Sequence, residues 1–164
     1  MKRDRQGGGG GGPPAGSAPV LVAVSRFNEL ISRKLLEGAA EQLRAAGYSA
    51  DDVEVIWVPG AYELPVVVDV GLASGRYEFA VALGAVVRGE TPHFDHVAGQ
   101  AARGLADVAL KHGRAVGFGV LTCDSMEQAL ARAGGESGNK GAEAASAALE
   151  TSRVLRALRH DASN

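Results

Sequence analysis

The order of apolar and polar positions divides the chain into short, almost continuously apolar runs separated by longer stretches with helical periodicity. The runs fall at 20–24, 53–58, 79–87 and 115–122, and apolar runs without alternation predict strands covered on both faces, as in a parallel sheet. Residues 29–46 place Ile31, Leu35, Leu36, Ala39 and Leu43 on one helical face and stop at Gly47, a residue suited to a left-handed cap. The same pattern recurs over 95–112, with Val97, Ala101, Leu105 and Val108 ahead of Gly113, and over 139–160, with Ala144, Ala147, Ala148, Leu155 and Leu158. Another helix is predicted over 65–73, where Pro65 takes a first-turn position that needs no amide hydrogen. Strand and helix thus alternate as βαβαβαβα. Right-handed crossovers fold that order into a three-layer, flavodoxin-like α/β sandwich around a four-stranded parallel sheet.

A length of 164 residues with 46% hydrophobic content supplies one core and leaves no room for a second. Residues 20–160 form that domain, and 161–164 are set apart as a short C-terminal tail. Residues 1–19 differ in composition: Lys2, Arg3 and Arg5 precede the glycines from Gly7 to Gly12, followed by Pro13, Pro14 and Pro19. This composition predicts a flexible tail, and it lacks the apolar segment of a secretory signal. The net charge of -2, without clustered Lys or Arg, argues against nucleic acid as a partner. No apolar run approaches the roughly 18 to 20 residues that span a bilayer. The lone cysteine, Cys123, has no intrachain disulfide partner. Together these features predict a cytoplasmic protein without membrane association.

Ligands of open parallel sheets bind beyond the carboxyl ends of the strands, so chemistry is expected in the loops after each run. The first is Ser25-Arg26-Phe27-Asn28. Phe27 either stacks on a planar heterocycle or staples onto the first helix, and the loop taken alone favours the staple. Pro59-Gly60-Ala61-Tyr62-Glu63-Leu64-Pro65 follows the second run, where Pro-Gly makes a turn that exposes backbone amides ahead of a helix. Glu63 either accepts from sugar-like hydroxyls or complements the helix dipole. The third loop, Arg88-Gly89-Glu90-Thr91-Pro92-His93-Phe94-Asp95-His96, is the richest. Gly89 and Thr91 offer amides and a hydroxyl to a phosphate. His93 beside them is either a solvated surface residue or a proton-transfer group, since imidazole titrates near neutrality. His93 and His96, with no strong third ligand nearby, make only a weak metal motif. After the fourth run, Asp124 or Ser125 caps the helix that follows. The glycine-rich 134–141 stretch fails as a phosphate-binding P-loop, because Lys140 follows Asn139 instead of glycine and precedes Gly141 instead of Ser or Thr. Arg132, just ahead of it, is either a solvated last-turn arginine or an anion ligand whose guanidinium fork matches phosphate oxygens.

Taken together, Arg26-Phe27-Asn28, the 59–65 loop, the 84–95 segment and Arg132-Ala133-Gly134 with Gly138-Asn139-Lys140-Gly141 resemble the lumazine synthase family. The resemblance runs in order from 20 to 159, and four linked motifs are far more specific than any one of them. It implies that Phe27 stacks on a pyrimidine ring, that Ala61, Tyr62 and Glu63 hold the ring's polar edge and ribityl chain, and that Ala85, Val86 and Val87 add backbone contacts. It implies further that Glu90 and Thr91 cradle the phosphate of 3,4-dihydroxy-2-butanone 4-phosphate. Arg132 would reach that phosphate from the adjacent subunit, alongside Phe118, which would cover the ring. His93 would transfer protons, with Asn28 and Lys140 as accessory positions.

The implied reaction condenses 5-amino-6-(D-ribitylamino)uracil with that keto phosphate to 6,7-dimethyl-8-ribityllumazine, a transferase step of riboflavin biosynthesis. It needs no metal, no redox cofactor and no Ser or Cys nucleophile, because both attacking nitrogens belong to the substrate. The family's assemblies imply a homopentamer with sites shared between subunits, with riboflavin synthase as an associated partner. The short segment ahead of Gly138 resembles the members whose pentamers close into an icosahedral shell. A reading of a different class is a non-catalytic flavin or lumazine carrier on the same scaffold. Retention of both His93 and Arg132 favours the enzyme, since a carrier gains nothing from a phosphate site beside a proton donor.

Overall fold

The computed structural model describes residues 18–164, so the tail expected over 1–19 lies almost wholly outside the described residues. Strands form where the apolar runs place them: β1 (Val20–Ser25), β2 (Val53–Val58), β3 (Ala80–Val87) and β4 (Val116–Cys123). All pair in parallel, in the order β2-β1-β3-β4. The helices are α1 (Glu29–Ala45), α2 (Leu64–Ala73), α3 (His93–His112), a short α4 (Met126–Arg132) and α5 (Lys140–Ala162). Between the last two, β5 (Ala133–Gly135) and β6 (Gly138–Asn139) make a small antiparallel hairpin.

Successive residues of a strand point to opposite faces, and β1 uses both. Val20, Val22 and Val24 pack with Ile31, Leu35 and Leu43 of α1 and with Ala145 and Ala148 of α5. Leu21 and Ala23 face the other way, onto Leu64 and Val68 of α2 and Ala101 and Leu105 of α3. The result is a three-layer α/β sandwich of the flavodoxin-like kind, with β1 and β3 buried along almost their whole length. Truncating a side chain such as the fully buried Leu35 to alanine costs about 2–5 kcal/mol in a core of this kind. Cover on both faces does not extend to the edge strands: Val55 of β2 is 39% exposed and Phe118 of β4 is 46% exposed.

Gly47 and Gly113 both take the left-handed conformation expected of helix terminators, with φ of 98° and 58°. Other boundaries move. The third helix begins two residues early, at His93, and α5 continues through residues 161 and 162, which the sequence pattern set apart as tail. The hairpin and the seven-residue α4 are too short to carry a readable period.

On the outer face of α2 and α3, Asp69 accepts hydrogen bonds from Lys111 Nζ, at 3.0 Å to both carboxylate oxygens, and lies 2.6 Å from His112 Nε2. The His112 and Lys111 hydrogen bonds hold the Asp69 carboxyl below its usual range. A lowered folded-state pKa stabilises above the unfolded value of about 3.9 and is lost as pH falls through the folded value. Asp69→Asn is therefore expected to lower the melting temperature near neutral pH, with the gap from wild type closing as acid protonates the Asp69 carboxyl. A gap that persists unchanged in acid would assign the effect to packing.

Candidate active site

Because β1 sits between β2 and β3, the chain leaves β1 on one side and returns on the other. The crevice this leaves at the carboxyl ends of the strands is where a ligand fits. A cleft of about 870 Å³ opens there. Phe27, after β1, forms one wall, and the short 3-10 helix Ala61–Glu63, after β2, forms the next. Ala85, Val86 and Val87 at the end of β3 make the floor, and Thr91, His93, His96, Val97 and Gln100 close the far side.

The loop after β1 is pinned on both flanks. The Arg26 amide donates to the Val58 carbonyl at 2.8 Å and the Phe27 amide to that of Pro59 at 3.0 Å. Asn28 adopts the left-handed conformation, φ 59°, which asparagine tolerates better than most side chains. Its Nδ2 donates to the Ala85 carbonyl at 3.0 Å, across the sheet. The accessory residue Asn28 thus spends its amide on the scaffold, and the loop it holds presents Phe27 with 70% of its surface exposed. A staple packed on α1 would be covered, and Phe27 is not. Tyr62 is similarly open at 63%. Glu63 starts α2 without capping it through a side-chain hydrogen bond and lines the cleft instead.

Arg88, which sequence reasoning passed over, organises the third loop. Its Nε donates to Asp124 at 2.8 Å and its Nη1 to Asp95 at 3.4 Å, while the guanidinium lies 4.4 Å from the Phe94 ring centre. Its own amide bonds the Cys123 carbonyl at 2.8 Å. Exposed ion pairs of this kind add little to stability, so Arg88 matters more for aligning the β3, β4 and α3 ends. Gln100 was also missed. Its signal was available: His93, His96, Val97 and Gln100 stand at i, i+3, i+4 and i+7 along α3, a single helical face. Among the described residues no group of three or more His, Cys, Asp or Glu is placed to hold a metal ion.

Several expected site residues do not line this cleft within one chain. Glu90 is exposed outside it, and Phe118 lies on the open edge strand β4. Arg132 ends α4, where its Nη1 donates to the Gln128 carbonyl at 3.1 Å. Lys140 is paired with Glu143 at 2.7 Å. Ser125 caps α4 as expected, accepting from the Gln128 amide at 3.2 Å. One chain therefore offers an aromatic stacking face, backbone polar edges and an imidazole beside a hydroxyl, a set suited to holding a planar heterocycle and moving a proton near it.

The chain is similar to known proteins over most of its length. The 6,7-dimethyl-8-ribityllumazine synthase family profile matches residues 17–156. The 6,7-dimethyl-8-ribityllumazine synthase of Anaeromyxobacter dehalogenans strain 2CP-C is 56% identical over 137 residues, 84% of this chain and 85% of that protein. Proteins of the same name from Edwardsiella ictaluri strain 93-146 and Yersinia pestis strain Pestoides F are 53% and 50% identical, over 88% and 87% of this chain and 94% and 92% of theirs.

Cys123, at the mouth of the sheet, is buried, and burial pushes its thiol pKa up against the partial opposition of the Arg132 charge. It is therefore a poor nucleophile in the folded state. Iodoacetamide at neutral pH is expected to leave Cys123 unmodified in the native protein and to alkylate it after denaturation, as read by mass spectrometry. Rapid native labelling would show that the thiol is reachable.

Proposed function

The chain belongs to the 6,7-dimethyl-8-ribityllumazine synthase family, and on that premise we propose how its residues carry out the condensation of 5-amino-6-(D-ribitylamino)uracil with 3,4-dihydroxy-2-butanone 4-phosphate. It is an enzyme of riboflavin biosynthesis, a transferase. The observation that carries the residue assignments is the cleft itself, where exposed Phe27, the polar backbone of 85–87 and His93 beside Thr91 converge.

The uracil ring stacks on Phe27, its polar edge meets the backbone of Ala85, Val86 and Val87, and Ala61, Tyr62 and Glu63 take the ribityl chain. Thr91, with Glu90 beside it, receives the phosphate. The 5-amino group attacks the ketone and water leaves as the imine forms. Elimination then expels inorganic phosphate, and the ribitylamino nitrogen closes the second ring with loss of another water. Each step needs positioning and proton transfer, and His93 supplies the latter.

Phe118 and Arg132 complete the site from a neighbouring subunit. Leu30, Val66, Val70 and Leu110, each at least 60% exposed in one chain, supply apolar surface for such contacts. The assembly is a homopentamer, a head-to-tail ring in which each contact makes one site, and the pentamers build an icosahedral shell associated with riboflavin synthase. The protein works in the cytoplasm. No helix among the described residues is long and apolar enough to cross a membrane.

The direct assay mixes purified protein with both substrates and follows lumazine absorbance against the uncatalysed rate. Acceleration is expected. A rate equal to the control, with lumazine still bound, would replace the enzyme with a carrier. His93→Ala is expected to lower kcat by about a hundredfold without abolishing turnover, within the range that one general acid–base group contributes. Unchanged turnover would remove His93 from its role.

A further inference from the structure

The Gly138-Asn139-Lys140-Gly141 motif lies outside the cleft, yet Asn139 joins three parts of the molecule. Its Oδ1 accepts from the Gly141 and Ala142 amides at 2.9 and 3.1 Å, capping α5. Its Nδ2 donates to the Lys34 carbonyl of α1 at 2.9 Å, 105 residues earlier in the chain. Its backbone is registered with Ala133, the residue after Arg132.

Capping needs only an acceptor oxygen, which Ser or Asp supplies as well. The long-range donor is a second requirement that a carboxamide meets. The surrounding backbone is cut to admit it. A Cβ on Gly38 of α1 would stand 2.3 Å from the Asn139 carboxamide, and one on Gly141 would stand 2.0 Å from the Leu35 carbonyl oxygen. Ala133 is 4% exposed and the Ser137 amide bonds the Ala131 carbonyl at 2.9 Å, so the hairpin is fastened to the core and to α4 at the point from which Arg132 emerges.

We propose that Asn139 is a positioning residue for the keto phosphate, locking the hairpin to α1 and thereby setting where Arg132 presents its guanidinium. The proposal rests on the reading of Arg132 as a phosphate ligand. Its consequence is selective: loosening this seam weakens recognition of the phosphorylated substrate and spares the ribitylaminouracil, whose contacts come from Phe27, residues 61–63, residues 85–87 and Phe118, none of them in the hairpin.

The test is steady-state kinetics on the full-length protein, each substrate varied in turn. Asn139→Asp keeps the capping oxygen but sets a carboxylate oxygen against the Lys34 carbonyl. It is expected to raise KM for the keto phosphate about tenfold while KM for the uracil moves less than about twofold. In an Arg132→Ala background the same substitution is expected to add nothing to the keto phosphate KM. Gly38→Ala, which crowds the same carboxamide from α1, gives an independent variant with the same expected pattern if the aspartate variant does not fold. Equal rises in both KM values, effects that multiply in the double variant, or no change in either single variant would each overturn the proposal. If Arg132→Ala alone leaves the keto phosphate KM unchanged, the phosphate-ligand reading fails first and the proposal falls with it.

Discussion

Parallel pairing of β1 with strands on both sides is the constraint on which everything else depends. Burial on two faces demands apolar residues at every β1 position from Val20 to Val24, and each face then requires its own helical layer. The crossovers must leave toward β2 and come back toward β3. Their divergence opens the crevice, and the three loops that border it come from 25–28, 59–63 and 88–92, far apart in the chain. The site is a product of topology before it is a product of any side chain.

What turns a crevice into a shaped cleft is a layer of contacts behind the lining residues. Asn28 reaches over to the Ala85 carbonyl, and Arg88 links the ends of β3, β4 and α3. Neither contact is worth much as stability, yet each fixes a direction. Phe27 and His93 stay largely exposed because their neighbours, and not their own packing, hold the backbone in place. Exposed aromatic surface of this kind, together with the open edge at Phe118, is what the proposed sharing of the site between subunits starts from.

Much of this was legible beforehand. Unbroken apolar runs located all four main strands, and helical periodicity with Gly47 and Gly113 located the long helices, because burial and backbone freedom leave marks in residue type. The motifs of the β1, β2 and β3 loops located the cleft. Other features left no such mark. Exposure of Val55 and Phe118 depends on which strands end at the edge, which the apolar runs do not encode. The roles of Asn28, Arg88 and Asn139 depend on partners 57, 36 and 105 residues away, and no local period records those contacts. Phe27 shows the ambiguity best: the local pattern favours a staple, and only the three-dimensional placement of its loop shows the ring left uncovered.

Subunit complementation tests the shared site most directly. Phe27→Ala removes the stacking wall from one set of chains, and Arg132→Ala removes the anion ligand from another. Each variant alone assembles with every site damaged. In rings formed from an equal mixture of dissociated subunits, about one contact in four joins an intact cleft to an intact arginine. Lumazine formation is expected to rise toward about a quarter of the wild-type rate, well above the sum of the two variants. A mixture that shows only that sum, although mass spectrometry confirms hybrid rings, would contradict a site built across two subunits.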